Sequence, residues 1–440
     1  MNRSLTVLAR TAAALAVLVS LTSRADSRKL LQLIGMLRDN GTITQEQYDA
    51  LMAAAEEPPA PAVETTPTVP APPADLQVST EGGLEVATYD GRYAFELNGR
   101  LYIDGAWYDE DREPLGSGTE VRQARLRVKS RIAGDWSLEL GADFSDDIDL
   151  KDAYLRYHGF HPVTLTLGQV KEPFSLEEQT SSRFGTFMER ALPNALVPER
   201  NIGFSAHTHA DWWTATAGIF GEDFNDDPDD EGDEAWAATG RITVAPLHDD
   251  RRVLHLGAAA SYREANDERE LRIDTDPESH LTDRDYLDTD KLKDVEGQAL
   301  LGLEAAGVMG PLSLQGEYIG ARVRRDDNRE DVCFGGWYAS GSWFVTGESR
   351  KYDSDKGEFE RIEPRSRRGA LELALRFSRL DLTDESVEGG VEENLTLGVN
   401  WYLNPYTRMM FEYIHADISP NDGDVDANAN VLQVRAQIDW

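Results

Sequence analysis

The feature that most restricts the fold is an alternation of apolar and polar residues with a period of two, which returns between residues 93 and 440 in about sixteen segments of roughly 9–14 residues. In residues 136–145 one row holds tryptophan, leucine, alanine and phenylalanine, and the other holds serine, glutamate, glycine and aspartate. A strand places two such rows on opposite faces, whereas a helix would mix them. A single strand of this kind also covers the core of a soluble protein, but segments of this length suit strands that cross a membrane at a tilt. We therefore predict an all-β transmembrane fold.

The connections between these segments alternate in length, which indicates a barrel with two unlike ends. Long acidic connections lie at 222–234 and 264–294, and short ones at 133–135, 159–162, 210–211 and 309–311. Short periplasmic turns and long external loops are typical of bacterial outer-membrane barrels, which have an even number of antiparallel strands. We predict a 16-stranded antiparallel outer-membrane β-barrel at 93–440. The connection 347–366 is long where the alternation predicts a short turn, and no feature of the sequence explains it.

Charge and composition restrict the partners. The sequence has 80 acidic and 44 basic residues and a formal net charge of −36, which is the wrong sign for binding the phosphate backbone of a nucleic acid. The hydrophobic fraction of 40% and the mean hydropathy of −0.49 fit a water-filled barrel, in which half of each strand faces water. Cys333 is the only cysteine, so the fold must be stable without a disulfide within the chain.

Three regions precede the barrel. Residues 1–25 combine basic residues, a short apolar run and small residues before the expected cut after Ala25, which predicts a signal peptide. Residues 26–57 show helical spacing on both sides of a break, which predicts a periplasmic helical hairpin. This hairpin is too small to be stable alone, so we expect it to pack against copies of itself or a neighbour. Residues 58–92 form a proline-rich linker and the lead-in to the barrel.

The final strand, residues 431–440, carries an apolar row that ends at Trp440. An even strand count places both ends of the barrel on the periplasmic side. We predict that Trp440 lies at the membrane interface and closes the last strand against the first. Because outer-membrane barrels typically end in such an aromatic residue, we also predict that the barrel assembly machinery recognises Trp440. Further interfacial aromatics are predicted at Trp136, Trp213, Tyr262 and Trp401.

Residues 165–204 resemble the characteristic segment of the phosphate-selective porin O/P family, most clearly in GQVKEPFSLEEQTSS and FMERALPNALVPERNIG. Further similarity lies in 336–352, 372–382 and 397–413, and the resemblance covers residues 93–440. It implies a sixteen-stranded trimeric porin whose third external loop folds into the lumen and whose constriction is lined by basic side chains. Family members carry an arginine pair where this chain has Arg122 and Gln123, so their arginine row is incomplete or displaced here.

Basic residues on inward rows are the candidates for a constriction. On the strand at 121–130 the apolar row faces outward, so Arg125, Arg127 and Lys129 point together into the lumen and would attract anions. The other pore-lining or constriction residues that we predict are Arg156 and Arg241 on inward rows and Lys171, Arg183, Arg190 and Arg200 in the folded loop. The competing interpretation is that these cations form ion pairs with inward acids and only keep the lumen polar. The acids in question include Glu139, Asp143, Asp152 and Glu304.

Other chemical signals are weak. His207 and His209 share one face of a strand, but no third metal ligand is apparent, so we predict ordinary lumen or interface histidines and neither a metal nor a cofactor. The sequence has no G-x-S-x-G, H-E-x-x-H or P-loop motif, and we predict that the protein is not an enzyme.

Two functions are consistent with these features. The first is an outer-membrane porin, a passive diffusion channel for small hydrophilic solutes with a preference for anions such as phosphate. The second is a structural or interaction barrel that is plugged by its loops and tethered to periplasmic partners through the N-terminal helices. For either function we predict a homotrimer in the bacterial outer membrane, in contact with membrane lipid and lipopolysaccharide. Conductance in a planar bilayer separates the two.

Overall fold

The structure is a computed structural model. It describes residues 76–111, 115–224, 234–282, 284–326, 329–419 and 427–440, together with residues 35, 38, 44, 45, 48 and 49. The chain divides into two compact units, Met1–Pro73 and Ala74–Trp440. The signal peptide expected at 1–25 lies outside the described residues. Most of the helical hairpin expected at 26–57 lies outside them too; residues 35, 38, 45, 48 and 49 are helical, and the hairpin itself stays a prediction.

Sixteen antiparallel strands, here β1 to β16, form one closed barrel in the second unit. Each strand pairs with the next along the chain, and β16 pairs with β1 to close the sheet. The strands are β1 (Ala94–Glu110), β2 (Gly118–Ile132), β3 (Trp136–Asp143), β4 (Asp149–Phe160), β5 (Val163–Lys171), β6 (Arg200–Ala210), β7 (Trp213–Phe220), β8 (Trp236–Asp249), β9 (Arg252–Glu264), β10 (Val295–Met309), β11 (Leu312–Arg325), β12 (Val332–Phe344), β13 (Ala370–Asp384), β14 (Val387–Asn404), β15 (Thr407–Ser419) and β16 (Ala427–Asp439). The predicted barrel and its strand number are confirmed. No helix among the described residues is long and apolar enough to cross a membrane.

The alternation in the sequence separates an outer from an inner face. On β13, Leu373 and Leu375 face outward and are 39% and 49% exposed, whereas Arg376 faces inward and is 1% exposed. The strands span 8 to 18 residues, a wider range than expected. The longest, β14, begins at Val387, which is followed by the exposed Glu388, and carries strongly exposed apolar side chains from Leu395 onward, because its first part continues above the apolar band toward the external loops.

Residues 76–88 extend the sheet ahead of the barrel. The strand Leu76–Ser79 pairs with Leu84–Thr88, which in turn pairs with the start of β1. The sequence assigned this stretch to the linker and lead-in, because strands of 4 and 5 residues are too short to show a clear period.

Trp440 closes the barrel at the end where both termini of the sheet lie. The amide of Gly99 donates to the Trp440 carbonyl oxygen, and the Trp440 amide donates to the Gly99 carbonyl oxygen, each at 3.0 Å. A Cβ added to Gly99 would lie 2.6 Å from Cζ2 of the indole, so the ring occupies the space that glycine leaves open. The indole is 42% exposed. Closure of the last strand against the first is therefore present, while recognition of Trp440 during assembly stays a prediction.

Two external connections fold into the lumen. The eyelet loop, residues 172–199, lies between β5 and β6 and contains the helix α1 (Leu176–Gln179) and a 3₁₀ turn (Leu192–Leu196). Its Met188 amide reaches the far wall and donates to Glu412 of β15 at 2.7 Å. The outer loop, residues 265–294, lies between β9 and β10 and covers the eyelet loop. Its leucines share a buried core with those of the 3₁₀ turn and of the β10–β14 wall.

The connection between β12 and β13, residues 345–369, also enters the lumen; we call it the periplasmic strap. It contains a short hairpin of Tyr352–Asp353 with Glu358–Phe359. This explains the length that the alternation of connections left unexplained, because the strap is an inward-folded segment rather than a turn.

Candidate functional site

A cavity of about 850 Å³ runs through the lumen. The walls of β1 to β6 line one side, and the eyelet loop and the periplasmic strap line the other. Its lining includes His280 of the outer loop at one end and His209, near the periplasmic end of β6, at the other. The cavity therefore follows the barrel axis from the external side to the periplasmic side.

Every cation that the sequence singled out lines this cavity. The set is Arg125, Arg127, Lys129, Arg156, Lys171, Arg183, Arg190, Arg200 and Arg241. Strand alternation and the folded loop thus place these side chains in one space. Their role in selectivity stays a prediction, because it depends on how each charge is compensated.

The single arginine at the start of β2 lies in a bulge. Val121 and Gln123 are paired with consecutive residues of β1, so Arg122 between them is the extra residue. As a result the side chains of Arg122 and Gln123 both line the lumen. The Nε atom of Arg122 lies 2.9 Å from Oε1 of Glu189, so this arginine holds the eyelet loop.

The row of Arg125, Arg127 and Lys129 faces acids on the neighbouring strand β3. Nε of Arg125 lies 2.6 Å from Oδ2 of Asp143. Nη1 of Arg127 lies 3.1 Å from Glu139, and Nζ of Lys129 lies 4.0 Å from the same carboxylate. These are two of the acids that the competing interpretation named. On the other side of the row, Glu96 of β1 is paired directly with Lys129, so acids on both neighbouring strands offset these cations.

Two further predicted cations form ion pairs within the wall. Nε of Arg200 lies 3.0 Å from Asp152, and Nη2 of Arg241 lies 2.6 Å from Glu304. His255 also contacts Glu304, at 3.0 Å from Nε2. Both arginines are therefore compensated, again by acids of the competing interpretation.

Glu178 of the eyelet loop forms ion pairs with two more cations. Its carboxylate lies 2.7 Å from Nη1 of Arg190 and 3.3 Å from Nζ of Lys171. Burial opposes ionisation of Glu178, but these two cations outweigh it and lower the pKa of that carboxyl below its ordinary value. The carboxylate therefore stays ionised at neutral pH.

Three arginines in the cavity have no carboxylate partner among the described residues: Arg100, Arg156 and Arg183. Arg100 donates to Ser182 at 3.0 Å, Arg156 to Thr166 at 3.2 Å and Arg183 to Ser181 at 3.3 Å. Burial, with nearby cations adding to it, lowers the pKa of Arg183 to about 10, so Arg183 remains charged at neutral pH. Among the described residues, these three side chains are the arginines of the cavity that form no ion pair, so their positive charge is uncompensated.

Sequence analysis missed Arg100, although a signal was present. Arg100 lies on the inward row of β1 and is paired directly with Arg125 of β2. Like charges directly opposite each other on two strands destabilise a sheet. Two arginines that face each other on inward rows therefore indicate a basic patch of the lumen.

Arg435 is a second missed residue, although it lies on the polar row of the final strand. Its guanidinium bonds Asp104 through Nε at 2.8 Å and through Nη2 at 2.6 Å. Nη2 also lies 2.6 Å from Glu189 of the eyelet loop. Burial opposes ionisation of Glu189, yet Arg122 and Arg435 outweigh it and hold its pKa well below the ordinary value. Arg435 therefore anchors the eyelet loop across the seam where the barrel closes.

The histidine pair lies at the periplasmic end of the cavity. The rings of His207 and His209 stack with centroids 5.8 Å apart. Nε2 of His207 lies 2.9 Å from the Asp355 carbonyl oxygen, and Nδ1 of His209 lies 3.1 Å from the Asp355 carboxylate. The pair therefore contacts the periplasmic strap. The part of the chain that the structure describes holds no cluster of three or more potential metal ligands.

Comparison with known proteins agrees with this architecture. Porin O of Pseudomonas aeruginosa is 29% identical over 413 residues, which cover 84% of this chain and 94% of that protein. A protein of Caulobacter vibrioides described as uncharacterized is 29% identical over 420 residues, which cover 88% of this chain and 83% of that protein.

Solved structures show the same fold. An anion-selective porin from Comamonas acidovorans superposes with a TM-score of 0.50 at 13% identity, covering 79% of this chain and 100% of that one. The outer-membrane channel DcaP of Acinetobacter baumannii gives a TM-score of 0.50 at 12% identity, covering 80% and 99%. The sequence profile described as phosphate-selective porin O and P matches residues 95–440, which is the whole barrel. With that match across a closed sixteen-stranded barrel and its inward-folded loops, the chain belongs to the phosphate-selective porin O and P family.

Proposed function

We propose that the channel of this outer-membrane porin passes small hydrophilic solutes by passive diffusion and prefers anions, phosphate among them. The observation that carries this proposal is the presence of Arg100, Arg156 and Arg183 in the lumen without a carboxylate partner among the described residues. The name of the Comamonas relative in fold, an anion-selective porin, is in line with it.

The chemistry of passage follows from these charges. An anion that enters the cavity exchanges part of its hydration for guanidinium donors, which are charged and directional. Walls of low dielectric constant strengthen this attraction relative to that of exposed loop charges. Because the other predicted cations are held in ion pairs, the attraction is limited, and a solute that enters can also leave. Such a site needs no energy input.

The second candidate is a structural barrel that its own loops close. The inward course of the eyelet loop, the outer loop and the periplasmic strap is the observation that favours it. The match to a porin family weighs against this second candidate, because porins are channels and not enzymes.

Planar-bilayer recording of the purified protein tests the proposal. We expect ohmic single-channel steps, and a reversal potential in a potassium chloride gradient that indicates anion preference. Phosphate added to one side should reduce the chloride current. Absence of steps would favour the structural barrel, and a cation-selective reversal potential would contradict the anion preference.

We propose a homotrimer, supported by the uneven height of the barrel wall. The strands β3, β5 and β7 have 8, 9 and 8 residues, whereas β14 on the opposite side has 18. Strands that cross the apolar core of a membrane need about 9–11 residues. The low wall therefore suits contact with a neighbouring subunit, and crosslinking followed by mass measurement in detergent tests this.

The remaining partners follow from the predicted location. We propose that residues 26–57 form the periplasmic helical hairpin, that the outer face contacts membrane lipid and lipopolysaccharide, and that Trp440 is the assembly signal. The packing of Trp440 on Gly99 supports the last of these, since it places Trp440 at the seam where the last strand meets the first.

A further inference from the structure

The periplasmic strap is held in place inside the lumen. The ring of Phe359 is 1% exposed and packs against Leu176 of the eyelet loop. The guanidinium of Arg350 lies 3.6 Å from the centroid of that ring. Arg241 of β8 donates to the Gly357 carbonyl oxygen at 2.9 Å. Contacts to both the barrel wall and the eyelet loop make the strap a fixed part of the passage.

The tip of the strap brings acids into the cavity. Asp355, Glu358 and Glu360 line it together with Lys356. Lys356 lies 2.7 Å from Asp353 and 3.7 Å from Glu358, so its charge is already shared. The carboxylate of Glu360 makes no hydrogen bond or ion pair with a described residue. The tip is therefore net negative.

The wall that faces the tip is basic. Arg156 of β4 has no carboxylate partner in the described part of the chain, and His207 and His209 of β6 lie beside it in the cavity lining. The distance of 3.1 Å between His209 and Asp355 shows that tip and wall approach closely. Opposite charges therefore face each other across the lumen at its periplasmic end. They lie in series with the eyelet, the part of the cavity beside the eyelet loop that Arg100 and Arg183 line.

We propose that the periplasmic strap is a second selectivity element, opposite in sign to the eyelet, and that it suits this channel to small zwitterions, solutes that carry an ammonium and an anionic group. This inference rests on the proposed channel function. A zwitterion places its anionic end toward Arg156 and its cationic end toward Glu360, and gains from both. A simple anion gains only at the wall and is repelled by the tip, while a neutral solute gains at neither.

Three isomeric or nearly isomeric probes separate these cases: glycine, its uncharged isomer glycolamide, and the anion glycolate. Their influx into liposomes that contain the full-length porin is compared with that of a variant carrying Asp355→Asn, Glu358→Gln and Glu360→Gln. We expect the wild type to admit glycine roughly threefold faster than glycolamide. The variant should lose that difference and admit glycolate roughly threefold faster than the wild type does. Its reversal potential should move toward stronger anion selectivity.

Glu363→Gln is the matched control. Glu363 lies on the same strap and forms an ion pair with Lys351 at 2.7 Å, but it does not line the cavity. This variant should behave as the wild type does. An equal effect of Glu363→Gln would indicate a general loss of charge and would overturn the proposal.

The proposal is overturned if the triple variant conducts but keeps the wild-type probe ratios and reversal potential, because the strap is then only a scaffold. That result leaves the channel function intact, whereas a wild type that passes no solute overturns both. If the triple variant does not fold, Glu360→Gln alone carries the test, since this side chain has no hydrogen bond or ion pair to lose among the described residues. We expect it to move the probe ratios in the same direction, and unchanged ratios would overturn the proposal.

Discussion

Removing the uncompensated eyelet charges, Arg100 and Arg183, should weaken anion preference far more than removing a compensated pair. The test variant is Arg100→Gln with Arg183→Gln. Neither arginine has a carboxylate partner among the described residues, so their removal leaves no buried acid uncompensated. The matched control is Arg125→Gln with Asp143→Asn, which removes an ion pair from the same cavity.

The expected magnitudes follow from Coulomb's law. An anion about 5 Å from one lone guanidinium gains roughly 3 kcal/mol at an effective dielectric constant of about 20. In the control pair the opposite charges are 2.6 Å apart. Their combined effect on the same anion is therefore only about 1 kcal/mol. Water and counterions in the channel reduce both values. We expect the anion-to-cation permeability ratio to fall about tenfold in the double arginine variant and less than about twofold in the control.

The assay is the reversal potential of single channels in a potassium chloride gradient, with conductance recorded to show that the pore is intact. The reasoning is refuted if the double arginine variant stays within twofold of the wild-type ratio. It is also refuted if the control variant moves the ratio as far, because compensation would then not decide which charges act.

Three other changes have expected outcomes. Gly99→Val should displace the Trp440 indole and lower the yield of heat-modifiable barrel, and Trp440→Asp should do the same. The control is Gly105→Val, which should fold normally because a Cβ added there meets its nearest neighbour at 3.5 Å. Equal yields of the two glycine variants would contradict the closure role of Trp440. Burial, followed by the charge of a neighbouring acid, raises the pKa of Asp276 in the outer loop from 3.8 to about 7. The folded loop therefore holds this proton more tightly than the unfolded chain does, and its stability falls as the pH rises from 3.8 to about 7. Asp276→Asn should therefore stabilise the outer loop at pH 8 by about 1–2 kcal/mol, a value reduced to allow for partial solvent exposure, and should have little effect at pH 4. Hydrogen exchange of residues 265–294 measures this stability. No gain in protection at pH 8 would contradict the prediction. Burial also raises the pKa of Glu358 above its ordinary value, against the pull of nearby lysines, so lowering the pH should neutralise this strap carboxyl. Reversal potentials measured at descending pH should therefore show a rising anion preference, and Glu358→Gln should reduce that rise.

The sequence alone determined the barrel and the direction of its side chains. Alternation with a period of two is a local property of a strand, so Arg125, Arg127 and Lys129 could be placed in the lumen without knowing any neighbour. The alternating connections predicted the two unlike ends, and the final apolar row predicted the closure by Trp440. The same inward rule, applied to β1, places Arg100 in the lumen.

Only the tertiary structure decided which of these charges are uncompensated and can attract an anion in the channel. Arg125 is compensated because strand register brings Asp143 to 2.6 Å, and Arg435 is compensated by Asp104 across the closing seam. The periplasmic strap could not be placed, because its path into the lumen depends on contacts with β8 and the eyelet loop, far from it in sequence. Whether a charge is free depends on distances between residues that are remote along the chain. Those distances are set by register and loop path, which the local pattern of a sequence does not contain.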